Sequence, residues 1–151
     1  MMAKDSDPPD AEAVAMRLLA RREHSRAELA AKLSRRGLGE VEIERVLDQL
    51  EEAGALSEAR FVEQLVHARL RQGYGPHRIR RDLAARGVDP EAAEAELALD
   101  DAAWAGRAEA ARTRHFGAPL PTRYEERARQ ARYLERRGYA AAHIARVLRG
   151  D

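Results

Sequence analysis

The residues of this sequence that could perform chemistry are its histidines, one Glu–His pair and a glycine-rich turn. The histidines are His24, His67, His77, His115 and His143. They fall in different predicted helices, without metal-ligand spacing or a companion cysteine, and Glu63 with His67 is a typical surface pair. Gly73 and Gly75 resemble a dinucleotide-binding loop, but no strand precedes them and no third glycine follows. We therefore expect no enzyme, with no catalytic residue, no cofactor and no metal.

Arginine supplies nearly all of the positive charge of this sequence. Its planar fork suits carboxylates and phosphates, and lysine occurs only at Lys4 and Lys32. Net charge is −3 over residues 1–56, −1 over 57–100 and +5 over 101–151, so positive charge gathers toward the C-terminal end. A GC-rich genome also favours arginine over lysine, and that alternative stays open.

Two groups of arginines lie at helical spacing. Arg129, Arg132 and Arg136 share one face of a predicted helix. Arg78 and Arg81 lie on an earlier helix. The face opposite the first group is apolar and consists of Tyr124, Ala128, Ala131 and Leu134. A solvated helix surface explains either group alone, but their recurrence on equivalent helices predicts a basic track suited to a long acidic partner.

The helices that position these arginines belong to an internal repeat. The pattern Leu-x-x-Arg-Gly followed by an apolar residue occurs at residues 33–38, 83–88 and 134–139. Its glycines are 50 and 51 residues apart. Apolar residues recur at helical spacing throughout, and no alternating run is long enough for a strand. The sequence therefore predicts an all-α protein of three tandem three-helix repeats in an elongated array.

The repeat sets the expected boundaries. We expect a disordered tail over residues 1–10, then repeats over 11–56, 57–100 and 101–151. Helices are expected over residues 11–22, 40–53, 57–72, 76–86, 90–99, 101–116 and 140–148. Two more open at the capping boxes 25–28 and 122–125. Pro76 begins the central helix after the N-cap Gly75, and Gly87 ends it in a left-handed conformation.

Three short helices also describe the helix-turn-helix DNA-binding motif, whose last helix lies against phosphates. Here the third helix of the first repeat carries six acidic residues against a single Arg45. The corresponding helix of the second repeat carries Glu91, Glu94 and Glu96 and no basic residue. Phosphates would repel both helices, so the sequence does not favour this motif.

Membrane and export signals are absent from the sequence. No apolar run is long enough to span a bilayer, and residues 1–12 contain no signal-peptide core. We expect a soluble, cytoplasmic monomer with no membrane contact.

Four motifs, in order and in register, resemble the RecX family of bacterial regulatory proteins. They are SRAEL at residues 25–29, LSEARF at 56–61, GYGP at 73–76 and YLERRGY at 133–139. The resemblance covers residues 14–148. It implies three tandem three-helix repeats in an elongated, curved molecule.

The resemblance also implies a function that needs no active site. RecX-like proteins bind the RecA recombinase, most notably its filament on single-stranded DNA. They lie along the filament groove and inhibit ATP hydrolysis and strand exchange, within DNA repair and the SOS response. Binding of free RecA monomer is left open. The residues expected at the filament or DNA contact are Arg71, Tyr74, Arg78, Arg81, Arg129, Arg132 and Arg136.

The alternative function is a stand-alone helical nucleic-acid-binding protein. It is favoured by the net charge of +5 on the last repeat. Direct weak DNA binding is compatible with both functions, because a recombinase filament itself contains DNA.

Overall fold

The computed structural model describes residues 10–150, and residues 1–9 and 151 lie outside the described part. The predicted disordered tail over residues 1–10 therefore falls outside it, except for Asp10. The Asp10 carboxylate accepts hydrogen bonds from the backbone N–H groups of Glu12 at 3.0 Å and Ala13 at 3.5 Å. This residue caps the first helix.

Within residues 10–150 the protein contains nine α-helices, one 3-10 turn and no β-strand, which confirms the predicted all-α class. The α-helices are α1 Ala11–Arg21, α2 Arg26–Arg35, α3 Glu40–Glu52, α4 Glu58–Arg71, α5 Pro76–Ala85, α6 Glu94–Leu97, α7 Asp101–Phe116, α8 Tyr124–Arg136 and α9 Ala141–Arg149. The 3-10 turn, Pro90–Ala93, leads directly into α6.

The described chain forms two compact units, and the boundaries predicted for three repeats stay a prediction. The first unit contains the residues up to 64 together with 86–88. Its buried apolar side chains lie three and four residues apart, which is the pattern that predicted its helices. They include Val14, Leu29, Leu33, Ile43, Val46, Leu47 and Leu50.

Among the described residues, the second unit contains 65–85 and 89–150. Helix α7 contributes Trp104 and Ala108 to its interior, and the end of α8 contributes Leu134. Tyr139, just after α8, is 2% exposed. Its hydroxyl donates a hydrogen bond to the Gly73 carbonyl at 2.7 Å, and the Arg107 carbonyl oxygen lies 3.3 Å from the same hydroxyl. This tyrosine therefore ties the turn before α5 to α7.

One of the two predicted capping boxes forms and the other does not. The Ser25 hydroxyl accepts from the Glu28 N–H at 3.0 Å, and the Glu28 carboxylate accepts from the Ser25 N–H at 3.1 Å. The prediction of a capping box at residues 122–125 is wrong. Helix α8 has Arg123 as its N-cap, without a side-chain cap hydrogen bond. Because the helix starts one residue later than predicted, Glu125 occupies its second position and cannot complete the box.

The helix predicted over residues 90–99 is shorter and partly of another type. It begins as the 3-10 turn, which the Asp89 carboxylate caps at the N–H of Glu91, and becomes α-helical only as α6. It ends at Leu97, whose carbonyl accepts from the Trp104 indole N–H at 3.2 Å and from the Leu99 N–H at 2.8 Å. These bonds replace the one that would have continued the helix.

In the first unit, the backbone around Gly87 lies in close contact with the start of α2, and we call such a contact a backbone joint. This glycine has the left-handed conformation that the sequence predicts, with φ +76°. The Ser25 hydroxyl donates to the carbonyl of the preceding Arg86 at 2.6 Å. A Cβ atom at position 87 would lie 2.4 Å from the Cβ of Ala27. Two requirements, backbone conformation and space, therefore select glycine here.

The same joint occurs in the second unit at Gly138, with φ +100°. The Gly75 N–H donates to the Arg137 carbonyl at 2.8 Å, and the His77 N–H donates to the Gly138 carbonyl at 2.9 Å. A Cβ at position 138 would lie 2.5 Å from the backbone nitrogen of Arg78. In each unit the N-terminal end of one helix meets the glycine that ends another, at positions related by the 50-residue repeat.

The predicted apolar face of α8 is partly wrong. Tyr124 is 77% exposed, and the buried residues of this helix are Gln130 and Leu134. The buried Gln130 amide oxygen accepts from Arg112, whose side chain is fully buried. A polar side chain therefore occupies the inward position because a buried guanidinium requires an acceptor there.

Candidate partner-binding surface

Side chains suited to metal binding do not gather in the described residues. No group of three or more His, Asp and Glu side chains in residues 10–150 could hold a metal ion. His24 is buried, with Nδ1 3.1 Å from the Arg22 carbonyl oxygen and Nε2 2.9 Å from Lys32 Nζ. His143 lies 3.0 Å from an Asp101 carboxylate oxygen. Both histidines have structural contacts.

Four of the seven predicted contact residues line one concavity, which we call the basic concavity. Arg78 and Arg81 come from α5, and Arg132 and Arg136 come from α8. Glu135 is the remaining lining residue of this open space of about 610 Å³. The joint at Gly138 places the start of α5 beside the end of α8, which brings the two arginine pairs together.

Charge in the basic concavity is incompletely balanced. Arg78 pairs with Asp82 at 3.1 Å, and Arg69 pairs with the same carboxylate at 2.7 Å. Burial alone would raise the pKa of Asp82, but hydrogen bonds from the two guanidinium groups outweigh it and hold that pKa below its ordinary value. The other three arginines form no ion pair with a carboxylate in residues 10–150. The surface therefore offers exposed guanidinium groups to an acidic partner.

The other three predicted contact residues lie outside the basic concavity. Tyr74 has two guanidinium groups over its ring, that of Arg78 at 4.4 Å and that of Arg137 at 3.8 Å. Arg129 lies 5.1 Å from the Phe116 ring centroid and pairs with Glu126 at 3.3 Å. Arg71 lines a separate cavity.

That separate cavity contains arginines that sequence reasoning missed. Besides Arg71 it is lined by Arg107, Arg114 and Arg137, and we call it the arginine cavity. Its volume is about 200 Å³. Arg107 and Arg114 are seven residues apart, which places them on one face of α7, and this spacing was the signal available in the sequence. Their meeting with Arg71 and Arg137 depends on tertiary packing.

Known proteins identify the family. Three RecX domain models match in order: the first three-helix domain over residues 11–50, the second over 57–97 and the third over 106–148. The chain belongs to the RecX family. A relative named Regulatory protein RecX, from Pseudomonas fluorescens, is 46% identical over 138 residues, covering 90% of this chain and 88% of the relative. Another, from Halorhodospira halophila, is 45% identical and covers 86% of this chain and 81% of the relative.

Solved RecX structures share the fold. The crystal structure of RecX from Lactobacillus salivarius matches with a TM-score of 0.78 at 17% identity, over 93% of each chain. A second crystal structure, of regulatory protein RecX, matches with a TM-score of 0.75 at 16% identity, over 94% of this chain and 74% of the other. Together with the domain matches, these similarities confirm tandem three-helix repeats of the RecX type.

The relatives are named as regulatory proteins, which assigns the RecX family a regulatory role. None of the helices in residues 10–150 combines the length and the apolar character needed to cross a bilayer.

Proposed function

We propose that this chain is a non-enzymatic regulator that binds the RecA recombinase in the cytoplasm. It binds the filament on single-stranded DNA, lies in the filament groove, and inhibits ATP hydrolysis and strand exchange. The observation that carries the proposal is the basic concavity, because four of the arginines that helical spacing and the repeat single out converge there. In this proposal the chain acts as a monomer in recombination and DNA repair.

The physical support comes from charge and repetition. Guanidinium groups free of ion pairs bind carboxylates or phosphates in a bidentate manner, and a filament on DNA presents both. Tandem domains bind a repeating partner through effective concentration, since binding of one domain holds the next near its site. Weak contacts at each domain then suffice for tight attachment to several recombinase subunits.

The test is ATP hydrolysis by preformed RecA filaments on single-stranded DNA. We expect the wild-type protein to lower the rate at well below one molecule per RecA subunit. The double variant R132E/R136E reverses two charges of the basic concavity. It is expected to need at least tenfold more protein for the same inhibition, since a reversed charge repels the acidic group that the arginine would bind.

A matched control is available on α1. Arg17 and Arg21 are exposed, four residues apart, and Arg21 ends its helix as Arg136 ends α8. The variant R17E/R21E therefore carries the same charge change at the same helix positions, outside the basic concavity. Equal loss of inhibition in both variants would show that net charge alone matters, and would refute the proposed site.

The same assay distinguishes a filament regulator from the alternative, a stand-alone nucleic-acid-binding protein. A protein that only competes for DNA lowers the rate when enough is added to coat the strand. Its affinity for free DNA falls steeply with salt. Inhibition confined to coating amounts would overturn the proposal of a filament regulator and favour this alternative.

A further inference from the structure

The arginine cavity concentrates positive charge without a matching acid. Arg71, Arg107, Arg114 and Arg137 line a space of about 200 Å³, and no Asp or Glu is among its lining residues. Among residues 10–150, none of these four arginines forms an ion pair with a carboxylate. Four like charges at one small cavity repel each other, so an anion bound there stabilises the arrangement.

Helix ends offset only part of this charge. Arg71 is the last residue of α4, Arg114 lies in the last turn of α7, and Arg137 is the C-cap of α8. Each C-terminus carries roughly half a negative elementary charge. Three of them supply roughly one and a half negative charges against four positive ones, so roughly two and a half positive charges remain. That remainder suits a phosphate monoester, which carries up to about two negative charges, or neighbouring phosphodiester groups of a nucleic acid, which carry one each.

Hydrogen-bond donors in the cavity are also left over. Arg137 donates one N–H to the Gln72 carbonyl and stacks on the Tyr74 ring, but its buried Nε has no hydrogen-bond partner within residues 10–150. Buried polar atoms of native proteins nearly always have a partner, so the guanidinium of Arg137 is incompletely satisfied in this arrangement. The side chains of Arg107 and Arg114 lie at the surface and form no hydrogen bond within residues 10–150.

From these observations we infer that the arginine cavity binds a phosphate group, either within a single-stranded nucleic acid or in a free phosphate compound. Arg107 and Arg114 supply exposed forks from α7, and Arg71 and Arg137 line the site from the ends of α4 and α8. The inference is independent of RecA binding, because it requires no protein partner.

The test compares two double variants in the absence of RecA. R107Q/R114Q removes two charges from the cavity. R123Q/R127Q removes two exposed charges at the start of α8, in the same unit but away from the cavity. Binding of an oligothymidylate about ten nucleotides long is measured by fluorescence anisotropy over a range of salt concentrations. The cavity variant should raise Kd about tenfold and reduce the salt slope by about 0.7 for each phosphate that it no longer neutralises. The control should change Kd much less.

Inorganic phosphate and ATP form the second arm, read as a shift in melting temperature relative to chloride at equal ionic strength. Phosphate salts also stabilise proteins generally by exclusion from the surface, so the readout is the difference between the two variants. If R107Q/R114Q weakens only the binding of the oligothymidylate, the ligand is a nucleic-acid phosphate. If it reduces only the melting-temperature shift caused by phosphate or ATP, the ligand is a free phosphate compound. Equal behaviour of both variants in every arm overturns the inference.

Discussion

Replacement of Gly87 by alanine tests the backbone joint of the first unit. Two glycines of this unit, Gly37 and Gly87, both follow a helix with left-handed φ, at +85° and +76°. They differ in the space around them. A Cβ at position 37 meets nothing within 4 Å, whereas one at position 87 meets the Ala27 Cβ at 2.4 Å. Gly37→Ala is therefore a matched control that isolates the contact.

The expected losses in the free energy of unfolding follow from that difference in the space around the two glycines. A left-handed alanine costs about 1 kcal/mol, and this cost applies at both positions. Overpacking against Ala27 adds about 1–3 kcal/mol at position 87 only. We expect the free energy of unfolding to fall by about 1 kcal/mol for Gly37→Ala and about 2–4 kcal/mol for Gly87→Ala. Effects of alanine on the unfolded chain are common to both and cancel in the comparison.

Urea denaturation followed by circular dichroism gives these values, and a double-mutant cycle identifies the contact. Ala27→Gly removes the atom that a new Cβ would strike. Combined with Gly87→Ala, it should recover about 1–3 kcal/mol relative to the sum of the single changes. Combined with Gly37→Ala, it should show no coupling. Additive effects at Gly87 and Ala27, or equal costs at the two glycines, would refute the steric joint.

Three further predictions concern buried polar groups. Tyr139→Phe should lower the free energy of unfolding by about 1 kcal/mol, because the Gly73 carbonyl loses its donor. Burial raises the pKa of Tyr139 to about 12, so this phenol stabilises the fold below pH 10 and stops doing so as pH rises from about 10 to 12. Alkaline titration of stability should show that loss in the wild type and not in the Phe variant. Arg112→Met should cost about 3 kcal/mol or more in urea denaturation, because the buried guanidinium holds the carbonyls of residues 117–119, while Arg114→Met at an exposed site should cost less than about 0.5 kcal/mol. Burial lowers the pKa of His24, so the unfolded chain takes up a proton at higher pH than the folded one, and stability should fall as pH drops below about 6.5; His24→Gln should abolish that dependence.

Local signals in the sequence predicted most helix boundaries. Ser25 with Glu28, Pro76 after Gly75, and Gly87 each act within one turn of chain, and the structure places them as expected. The helix predicted over residues 90–99 is an exception, because a side chain seven residues further along the chain intervenes. The Trp104 indole takes the Leu97 carbonyl and ends a helix early.

Arg112 is a buried residue of α7 that its amino-acid type alone would place on the surface, because arginine is mostly exposed in folded proteins. It is fully buried because the loop after α7 folds back and presents the carbonyls of Gly117, Ala118 and Pro119 to its guanidinium group. Hydrogen bonds from Arg112 and Thr113 hold the pKa of Glu109 below its ordinary value. No local pattern encodes this arrangement, since it depends on the path of a loop.

The sequence predicted which arginines share one face of a single helix, but not which arginines of different helices meet. Arg132 and Arg136 share a face that helical spacing reveals, but Arg136 and Arg137 line different spaces although they are neighbours in sequence. Arg137, the C-cap of α8, keeps helical backbone angles, so its side chain leaves the helix axis about 100° around from that of Arg136. The chain turns one residue later, at Gly138, which has a left-handed conformation. The same turn accepts two backbone hydrogen bonds from the start of α5. The end of α8 therefore supplies consecutive arginines to the basic concavity and to the arginine cavity, beside its backbone contact with the start of α5.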